Sequence, residues 1–463
     1  MASSGRTKVV HVCSECGASH PKWAGRCAGC GDWNTLVEDV ETSGSSTQPA
    51  APTNRPGPQL IADIGTDVGR PVSTSISELD RVLGGGFVAG SVTLLGGEPG
   101  IGKSTLLLQV LAAASGPTLY VTAEESAQQV KLRAERLGAT QRELWLHAET
   151  SLPHIIDAIE ETKPQLVVID SIQTVNDPAL GSLPGSVGQV RGCAQQLVNI
   201  AKERNVSIIL VGHVTKEGSL AGPRVLEHVV DTVLQFEGDR HHALRLLRAS
   251  KHRYGATNEL GLFEMATVGL VGVPDPSSMF LADRRTGIPG SAIVPTMEGQ
   301  RPIVVEVQAL TNPGVPGVPS RRSAQGLDGG RLSMLMAVLG RRSNITVSDQ
   351  DVYASTAGGV KLSEPGLDLG VCLAAVSAIR NQPLPPDLAV FGEIGLGGEL
   401  RQVGHASRRL SEASRLGFSR VIVPTNSPDA EDDLQLLRSA TLSEAIAAAG
   451  LVGDASATGL RVI

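Results

Sequence analysis

The sequence predicts an α/β protein in three parts: a small four-cysteine module, a domain with a mostly parallel sheet, and a second α/β domain. Four of the six cysteines lie between residues 13 and 30, and short apolar runs alternate with helical patterns from about Leu60. A Pro- and Gly-rich stretch near 270–290 then separates a second such pattern. We therefore expect a module at 1–38, a flexible linker at 39–59, and domains at 60–273 and 285–463.

Composition limits the classes of function. The 463 residues are 41% hydrophobic and 19% charged, which is typical of globular domains. The net charge of −7 argues against coating of nucleic acid by bulk charge, but it leaves room for local basic patches. No apolar run reaches the ~18 residues that span a bilayer, and the amino end has no signal-peptide pattern. We expect a cytoplasmic protein without a membrane partner.

Two Cys-x-x-Cys pairs, each followed by Gly, form a set with the spacing of a structural zinc site. The four predicted ligands are Cys13, Cys16, Cys27 and Cys30. Four thiolates close a tetrahedral Zn²⁺ site and leave no position for water. The metal would supply the folding energy of so short a segment. Two disulfides are the alternative, and a reducing compartment disfavours them. We expect His11 and His20 to be bystanders, and Trp23 and Trp33 to pack on the turns around the metal.

The central domain shows a βα rhythm. Continuous apolar strands imply a parallel sheet covered on both faces. We expect strands at 91–97, 118–123, 143–148, 165–170 and 206–212, and helices at 103–115, 125–138, 152–163 and 190–205. Residues 229–238 and 242–250 are predicted to form an antiparallel pair at the sheet edge. In the last domain we expect two strands within 291–310, an exposed loop at 312–326, helices at 331–342, 367–381 and 407–417, a hairpin at 389–403 and a strand at 420–424.

A Gly-rich loop between the first strand and helix matches G-x-x-x-x-G-K-[ST]. Its candidate nucleotide-binding residues are Gly97, Glu98, Pro99, Gly100, Ile101, Gly102, Lys103, Ser104 and Thr105. Such a loop wraps phosphates with its N–H groups, and the helix adds its positive end. Lys103 would reach the terminal phosphates, and Ser104 would coordinate Mg²⁺. A chance Gly-rich turn is the alternative, but the flanking strand and helix favour ATP binding and hydrolysis.

Three carboxylates follow neighbouring strands of the same predicted sheet. Asp170 ends the strand 165–170, where it could hold Mg²⁺, or alternatively cap the next loop. Glu124 and Glu125 follow the strand 118–123, where one of them could deprotonate the attacking water. We favour Glu124, the first residue after the strand. The alternative for both is a first-turn Glu stabilised by the helix dipole.

Two further segments of the chain are specific: VTKEGSLAGPRVLEHVVD and KHRYG, residues 251–255. Outside the linker, nearly the whole chain resembles the bacterial RadA (Sms) family of RecA-like ATPases. The pentapeptide resembles the family's K-N-R-F-G signature, with His252 in place of Asn and Tyr254 in place of Phe. The resemblance implies that Lys251 and Arg253 act on the nucleotide of a neighbouring subunit. A solvated basic strand end is the alternative.

The same resemblance implies single-stranded DNA binding by two loops, 173–190 and 215–224. Lys216 and Arg224 are the candidate phosphate contacts, and Gln189 and Arg191 could be others. His213 would sense the γ-phosphate, or else it is a structural His.

The last domain resembles the proteolytic domain of Lon through residues 363–379 and 391–418. Asp368 stands where Lon has its nucleophilic Ser, and Ser407 stands where Lon has its Lys. An Asp without a Lys cannot run that acyl chemistry, so we expect a non-peptidase domain. Arg321 and Arg322 open a locally basic segment that contains Arg331, Arg341 and Arg342 as well. This segment suits a phosphate backbone, and a solvated face is the alternative.

The residues by themselves predict a zinc-binding ATPase, and the resemblance implies a DNA-dependent ATPase of recombinational DNA repair. It would use ATP, Mg²⁺ and Zn²⁺, form a hexameric ring, translocate on single-stranded DNA and promote branch migration of branched DNA with a RecA recombinase. Two alternatives stay open: a Lon-type ATP-dependent peptidase, and a KaiC-like signalling ATPase that binds no DNA. The missing Ser and Lys count against the first, and the cysteine module and the 251–255 segment count against the second.

Overall fold

The computed structural model describes residues 7–13, 18–29, 31–42, 60, 69–214, 220–221, 225–238, 244–315, 317–356, 362, 364–430 and 433–451. The chain divides into two compact units, Met1–Pro274 and Asp275–Ile463. Most of the expected linker lies outside the described residues. The same is true of four candidate site residues: Cys16, Cys30, Lys216 and Arg224.

Three antiparallel strands form the cysteine module, in the order β2-β1-β3. They are β1 Thr7–Cys13, β2 Ser19–His20 and β3 Leu36–Thr42. Cys13 pairs with Leu36 across the β1–β3 ladder. The third strand thus extends to Thr42, into the segment that we assigned to the linker.

The rest of the first unit is a large sheet covered by helices. Its strands, together with a small β4–β5 pair, are β4 Pro71–Val72, β5 Phe87–Val88, β6 Val92–Gly97, β7 Thr118–Thr122, β8 Leu144–Ala148, β9 Leu166–Asp170, β10 Ser207–Val214, β11 Leu220–Ala221, β12 Thr232–Glu237, β13 Leu244–His252, β14 Leu260–Ala266 and β15 Gly269–Gly272. Its helices are α1 Ser77–Val82, α2 Lys103–Ala113, α3 Ala127–Arg136, α4 Leu152–Thr162, α5 Val187–Arg204 and α6 Val225–Val229.

The sheet order is β15-β14-β13-β12-β6-β10-β9-β7-β8. Strands β6 to β10 and β12 pair in parallel, as the apolar runs predicted. The strands alternate between two buried cores. Leu95 packs on the side of α2 and α3, whereas Leu94 packs on the side of α4 and α5. This covering of both faces explains why the central strands are apolar throughout.

One expectation about this sheet was wrong. Strands β12 and β13 are antiparallel, but they lie inside the sheet, because β12 pairs with β6 and the hairpin β14–β15 extends the sheet beyond β13. Val233 and Phe236 of β12 bury their side chains in opposite cores, which an edge strand with an open face would not require. We had not recognised residues 260–272 as strands.

The second unit has a seven-stranded sheet in the order β18-β19-β17-β16-β20-β23-β24. Its strands, with the small β21–β22 hairpin, are β16 Ser291–Glu298, β17 Arg301–Pro313, β18 Arg322–Gln325, β19 Gln350–Thr356, β20 Leu388–Val390, β21 Glu393–Ile394, β22 Leu400–Arg401, β23 Arg420–Pro424 and β24 Gln435–Ser439. Its helices are α7 Pro276–Leu281, α8 Gly329–Arg342, α9 Asp368–Arg380, α10 Ala406–Arg415 and α11 Leu442–Ala448.

Two details of this unit differ from expectation. The predicted loop 312–326 contains strand β18, which joins the sheet edge by pairing in parallel with β19. The predicted hairpin 389–403 is narrower, because β20 belongs to the main sheet and only β21 and β22 form a hairpin. Among the described residues no helix is long and apolar enough to cross a membrane.

Candidate active site

The phosphate loop connects β6 to α2, and two of its glycines are required by their surroundings. A Cβ on Gly97 would lie 2.6 Å from the Phe236 carbonyl oxygen of the neighbouring strand. Gly102 has a φ of 118°, in the left-handed region, and its Cβ would meet Met265 at 2.8 Å. The positions of Gly97 and Gly102 therefore exclude residues with a side chain.

Lys103, the first residue of α2, lies within the loop. Its Nζ donates to the carbonyl oxygens of Gly97 at 2.7 Å and Glu98 at 3.0 Å. Burial lowers the pKa of Lys103, although the nearby Asp170 and Glu124 carboxylates oppose that shift. The amine is thus placed at the loop centre, where a phosphate would meet it.

Ser104 and Asp170 meet as the sequence predicted. The Ser104 hydroxyl donates to Asp170 Oδ2 at 2.6 Å, and the buried Tyr120 hydroxyl donates to the same oxygen at 2.6 Å. A hydroxyl and a carboxylate are the hard oxygen ligands that Mg²⁺ prefers. This pair therefore fits a magnesium ion between the loop and the end of β9.

Glu124 and Glu125 have different surroundings. Glu124 Oε1 accepts a hydrogen bond from the hydroxyl of Ser171, the residue after Asp170. Glu125 instead forms a two-pronged ion pair with Arg133 of α3, at 2.6 and 2.7 Å. The Arg133 guanidinium lowers the pKa of Glu125. A carboxylate held in this way is a poor proton acceptor, so the geometry favours Glu124 as the base.

These side chains surround one cavity of about 470 Å³ at the carboxyl ends of the parallel strands. It is lined by Pro99, Gly100, Gly102, Lys103, Ser104, Thr105, Thr122, Glu124, Glu125, Arg133, Arg136, Asp170 and Met265. The sequence did not indicate Tyr120, Arg133 or Arg245, whose Nε donates to the loop carbonyl of Ile101 at 3.2 Å. No local motif marks these residues, because their roles depend on contacts between separate elements.

Lys251 and Arg253 lie elsewhere in the unit. Lys251 pairs with Val233, which pairs with Leu94, three residues before Gly97. At ~3.3 Å per residue, Lys251 is about 10 Å back along the strand from the phosphate loop. Arg253 follows the end of β13 and is farther still. Both therefore lie towards the amino ends of the parallel strands, whereas the cavity lies at the carboxyl ends of those strands.

Contacts within the chain hold both cations. Lys251 Nζ donates to the carbonyl oxygens of Glu227 at 2.6 Å and Val230 at 2.7 Å, at the end of α6. Burial and the neighbouring Arg253 charge lower the pKa of Lys251. Arg253 lies 3.2 Å from the buried Asp231 carboxylate. The two cations thus lie close enough for the charge of Arg253 to act on Lys251.

His252 has a defined position between them. One ring nitrogen lies 2.9 Å from the Thr232 hydroxyl, and the other lies 3.1 Å from the Leu83 carbonyl oxygen. Burial lowers the pKa of His252. The ring therefore links the end of β13 to the turn after α1.

Two of the four predicted zinc ligands are described. Cys13 and Cys27 are buried together against Leu36. The backbone N–H of Gly29 lies 3.3 Å from Cys27 Sγ, a contact that suits a thiolate. His20, the expected bystander, places Nε2 at 3.5 Å from the same sulfur. These residues fit a thiolate metal site, although no group of three metal-binding side chains occurs among the described positions.

The two tryptophans of the module do not pack as expected. Trp23 is 59% exposed and Trp33 is 70% exposed. Their rings flank Gly25, where a Cβ would leave ordinary contact distances of 3.7–4.0 Å. Trp33 also lies under the Arg26 guanidinium, 5.9 Å from the ring centroid.

The structure describes some of the candidate DNA contacts and leaves others outside the described residues. Lys216 and Arg224, together with the side chain of His213, lie outside the described part of the chain. Gln189 is buried and its amide bonds to the 177–182 loop, so it serves the fold, whereas Arg191 is exposed. Arg321 is exposed, but Arg322 donates to the carbonyl oxygens of Gln350 and Val347.

In the second unit, the residue at the position of the Lon nucleophile is buried and forms an ion pair. Asp368 is 2% exposed and forms a two-pronged ion pair with Arg331, while the Ile394 N–H donates to it at 3.0 Å. Ser407, in the position of the Lon Lys, is exposed at the start of α10. Arg331 is thus engaged inside the domain and does not contribute to the basic surface that we expected.

Three known domain families match this chain. Residues 11–38 match the rubredoxin metal binding domain, and residues 59–219 match the AAA domain. Residues 344–444 match the C-terminal proteolytic domain of Lon protease. The three matches follow the order of the three parts predicted from the sequence.

Curated relatives match almost end to end. The DNA repair protein RadA of Bacillus subtilis is 49% identical over 433 residues, which cover 92% of this chain and 94% of the relative. That of Streptococcus pyogenes is 49% identical over 91% of this chain and 93% of its own length. That of Listeria monocytogenes is 47% identical, over 96% and 99%.

Proposed function

The chain belongs to the bacterial DNA repair protein RadA family, and we propose that it is a DNA-dependent ATPase that moves on single-stranded DNA during recombinational repair. The relatives and the AAA match support a DNA repair ATPase. The more specific proposal depends on the arrangement of charged groups. One cavity holds a complete set of phosphate and metal ligands, whereas two cations lie at the far edge of the same sheet.

Within the cavity each residue has a chemical task. The loop N–H groups and Lys103 would bind the phosphates of ATP, and Ser104 and Asp170 would hold a Mg²⁺ ion that neutralises phosphate charge. Glu124, hydrogen-bonded to Ser171, orients the attacking water and accepts its proton. The ion pair between Glu125 and Arg133 keeps the second carboxylate out of this role.

Lys251 and Arg253 then act on a neighbouring subunit's nucleotide. Within one chain, strand geometry separates them from the phosphate loop by more than a side chain can reach. A cation supplied in trans stabilises charge on the transferring phosphoryl group and can contribute ~10³-fold or more to the rate. This arrangement requires an oligomer, and we propose a hexameric ring.

The remaining proposed roles concern zinc, the DNA backbone, the Lon-like domain and the partners. Cys13, Cys16, Cys27 and Cys30 hold a structural Zn²⁺. Lys216, Arg224, Arg321 and Arg322 contact the DNA backbone, with Arg321 better placed than the anchored Arg322. The Lon-like domain has no peptidase role, because Asp368 stands in the position of the nucleophile and is paired with Arg331. Branched DNA and a RecA recombinase are the proposed partners.

Mixed oligomers test the trans arrangement. Lys103→Ala should lose nucleotide binding in its own subunit, and Lys251→Ala should lose the cation offered to the neighbour. Each variant alone is expected to lose at least ~100-fold in DNA-stimulated ATP hydrolysis. A mixture contains interfaces with an intact Lys103 on one side and an intact Lys251 on the other. Mixing should therefore restore hydrolysis.

The matched control replaces Lys251→Ala with Glu124→Gln, whose defect lies in the same site as that of Lys103→Ala. In that mixture every subunit carries a defect in its own cavity, so no interface combines an intact Lys103, Glu124 and Lys251, and the mixture should stay inactive. Failure of the first mixture to regain activity, with oligomers shown to exchange subunits, would contradict a role in trans. Hydrolysis by wild type that single-stranded DNA does not stimulate would contradict the DNA motor.

A further inference from the structure

Tyr120 is a buried polar side chain that none of the roles above uses. It lies in the middle of β7 and is 1% exposed. Its hydroxyl donates to Asp170 Oδ2 at 2.6 Å, and the Ser104 hydroxyl donates to the same oxygen at 2.6 Å. One carboxylate oxygen thus receives two short O–H donors, one from the phosphate-loop helix and one from the sheet.

The tyrosine reaches this oxygen because of the strand register. Thr122 is the direct neighbour of Asp170, and Tyr120 pairs with Val168 two residues earlier. The ring therefore lies along the sheet surface beneath the carboxylate.

We propose that Tyr120 is a positioning residue that holds the Asp170 carboxylate in the orientation needed for Mg²⁺. The inference rests on the proposed role of Ser104 and Asp170 as the metal site. A metal would use a lone pair of the Ser104 oxygen, so the Ser104 donor would itself be tied to the metal site. Tyr120 would donate to Asp170 from the sheet, independently of that ligand, and would keep the carboxylate from rotating. Outer-shell partners of this kind typically contribute 10–100-fold to metal affinity.

The test is Tyr120→Phe in the full-length protein, because Phe fills the same volume and lacks only the hydroxyl. Mn²⁺, titrated into the complex with a non-hydrolysable ATP analogue, reports metal affinity by electron paramagnetic resonance. The Kd for Mn²⁺ is expected to rise about tenfold. Nucleotide affinity measured in EDTA should be unchanged. In turnover, the Mg²⁺ requirement should rise more than kcat at saturating Mg²⁺ falls.

The control is Tyr353→Phe, an exposed tyrosine of the second unit, which should change none of these quantities. Unchanged Mn²⁺ affinity in Tyr120→Phe overturns the inference, and so does a variant that fails to fold, because the hydroxyl then serves the fold. Wild-type protein that binds neither nucleotide nor Mn²⁺ would instead overturn the proposed function. The two failures are therefore distinguishable.

Discussion

Two adjacent glutamates at the end of β7 show how much one residue's surroundings decide. Both follow the same strand, and both lie in the cavity beside the phosphate loop. Glu125 is neutralised by Arg133, which holds both of its carboxylate oxygens. Glu124 accepts a hydrogen bond from the Ser171 hydroxyl, and the ion pair of Glu125 with Arg133 leaves Glu124 as the candidate base. The sequence alone favoured Glu124 over Glu125 only because Glu124 is the first residue after the predicted strand.

We predict that Glu124→Gln reduces single-turnover ATP hydrolysis by at least ~100-fold while nucleotide affinity stays close to wild type. Gln keeps the shape of the side chain but cannot accept the proton of water. Glu125→Gln is the matched comparison and should cost much less, because its carboxylate does not perform the chemistry. Rapid-quench hydrolysis and fluorescent-nucleotide binding measure the two effects. The assignment is wrong if Glu125→Gln proves the more damaging change.

At the scale of elements, the start of α4 is stabilised by a residue outside the helix. Glu149 Oε1 accepts the backbone N–H groups of Thr150 at 2.7 Å and Ser151 at 2.9 Å, and Oε2 lies 2.8 Å from His154 Nδ1. Ser151 itself gives no side-chain cap. These three hydrogen bonds lower the pKa of Glu149 to about 2. The bond from the Ser151 N–H has the largest effect, and those from His154 and Thr150 have smaller effects.

Glu149→Gln should therefore reduce the free energy of unfolding by about 1 kcal/mol at pH 7, a value limited by solvent screening. A carboxylate with a lowered folded-state pKa stabilises above its unfolded pKa of about 4.5. That contribution is lost as the pH falls towards 2. The difference between wild type and variant, from urea unfolding, should thus be smaller at pH 4 than at pH 7. Glu161→Gln, an exposed position of the same helix, should show neither effect.

At the scale of the whole molecule, the cysteine module has a core of its own. The cluster of Cys13, Cys27 and Leu36 is separate from the two clusters that cover the large sheet. A core this small stabilises little, whereas a structural Zn²⁺ contributes on the order of 10 kcal/mol to such segments. Folding of the module should therefore depend on metal, and folding of the large sheet should not.

We predict one Zn²⁺ per chain. Its removal by a chelator should raise amide hydrogen exchange throughout residues 7–42 while residues 92–170 keep their protection. Cys13→Ser should have the same effect without a chelator. Cys193→Ser, which alters a buried cysteine of α5, is the control and should leave zinc content unchanged. Protection of 7–42 that survives complete loss of metal would favour disulfides instead.

The sequence by itself determined the features that are local in the chain. The phosphate loop is one contiguous stretch, so its spacing fixes both the backbone path from β6 to α2 and the placement of Lys103 and Ser104. Continuous apolar strands likewise predicted a parallel sheet buried on both faces. Asp170 was predictable because parallel strands bring their carboxyl ends to one edge.

Only the tertiary structure decided which side chains meet across elements. The bond from Tyr120 to Asp170 depends on the register between β7 and β9, and the pair of Glu125 with Arg133 depends on how α3 packs. The register of β13 against β12, and of β12 against β6, places Lys251 level with Leu94 and so away from the phosphate loop. Tyr120 and Asp170 lie 50 positions apart in the chain, and no local pattern of residue types specifies the register that brings them together.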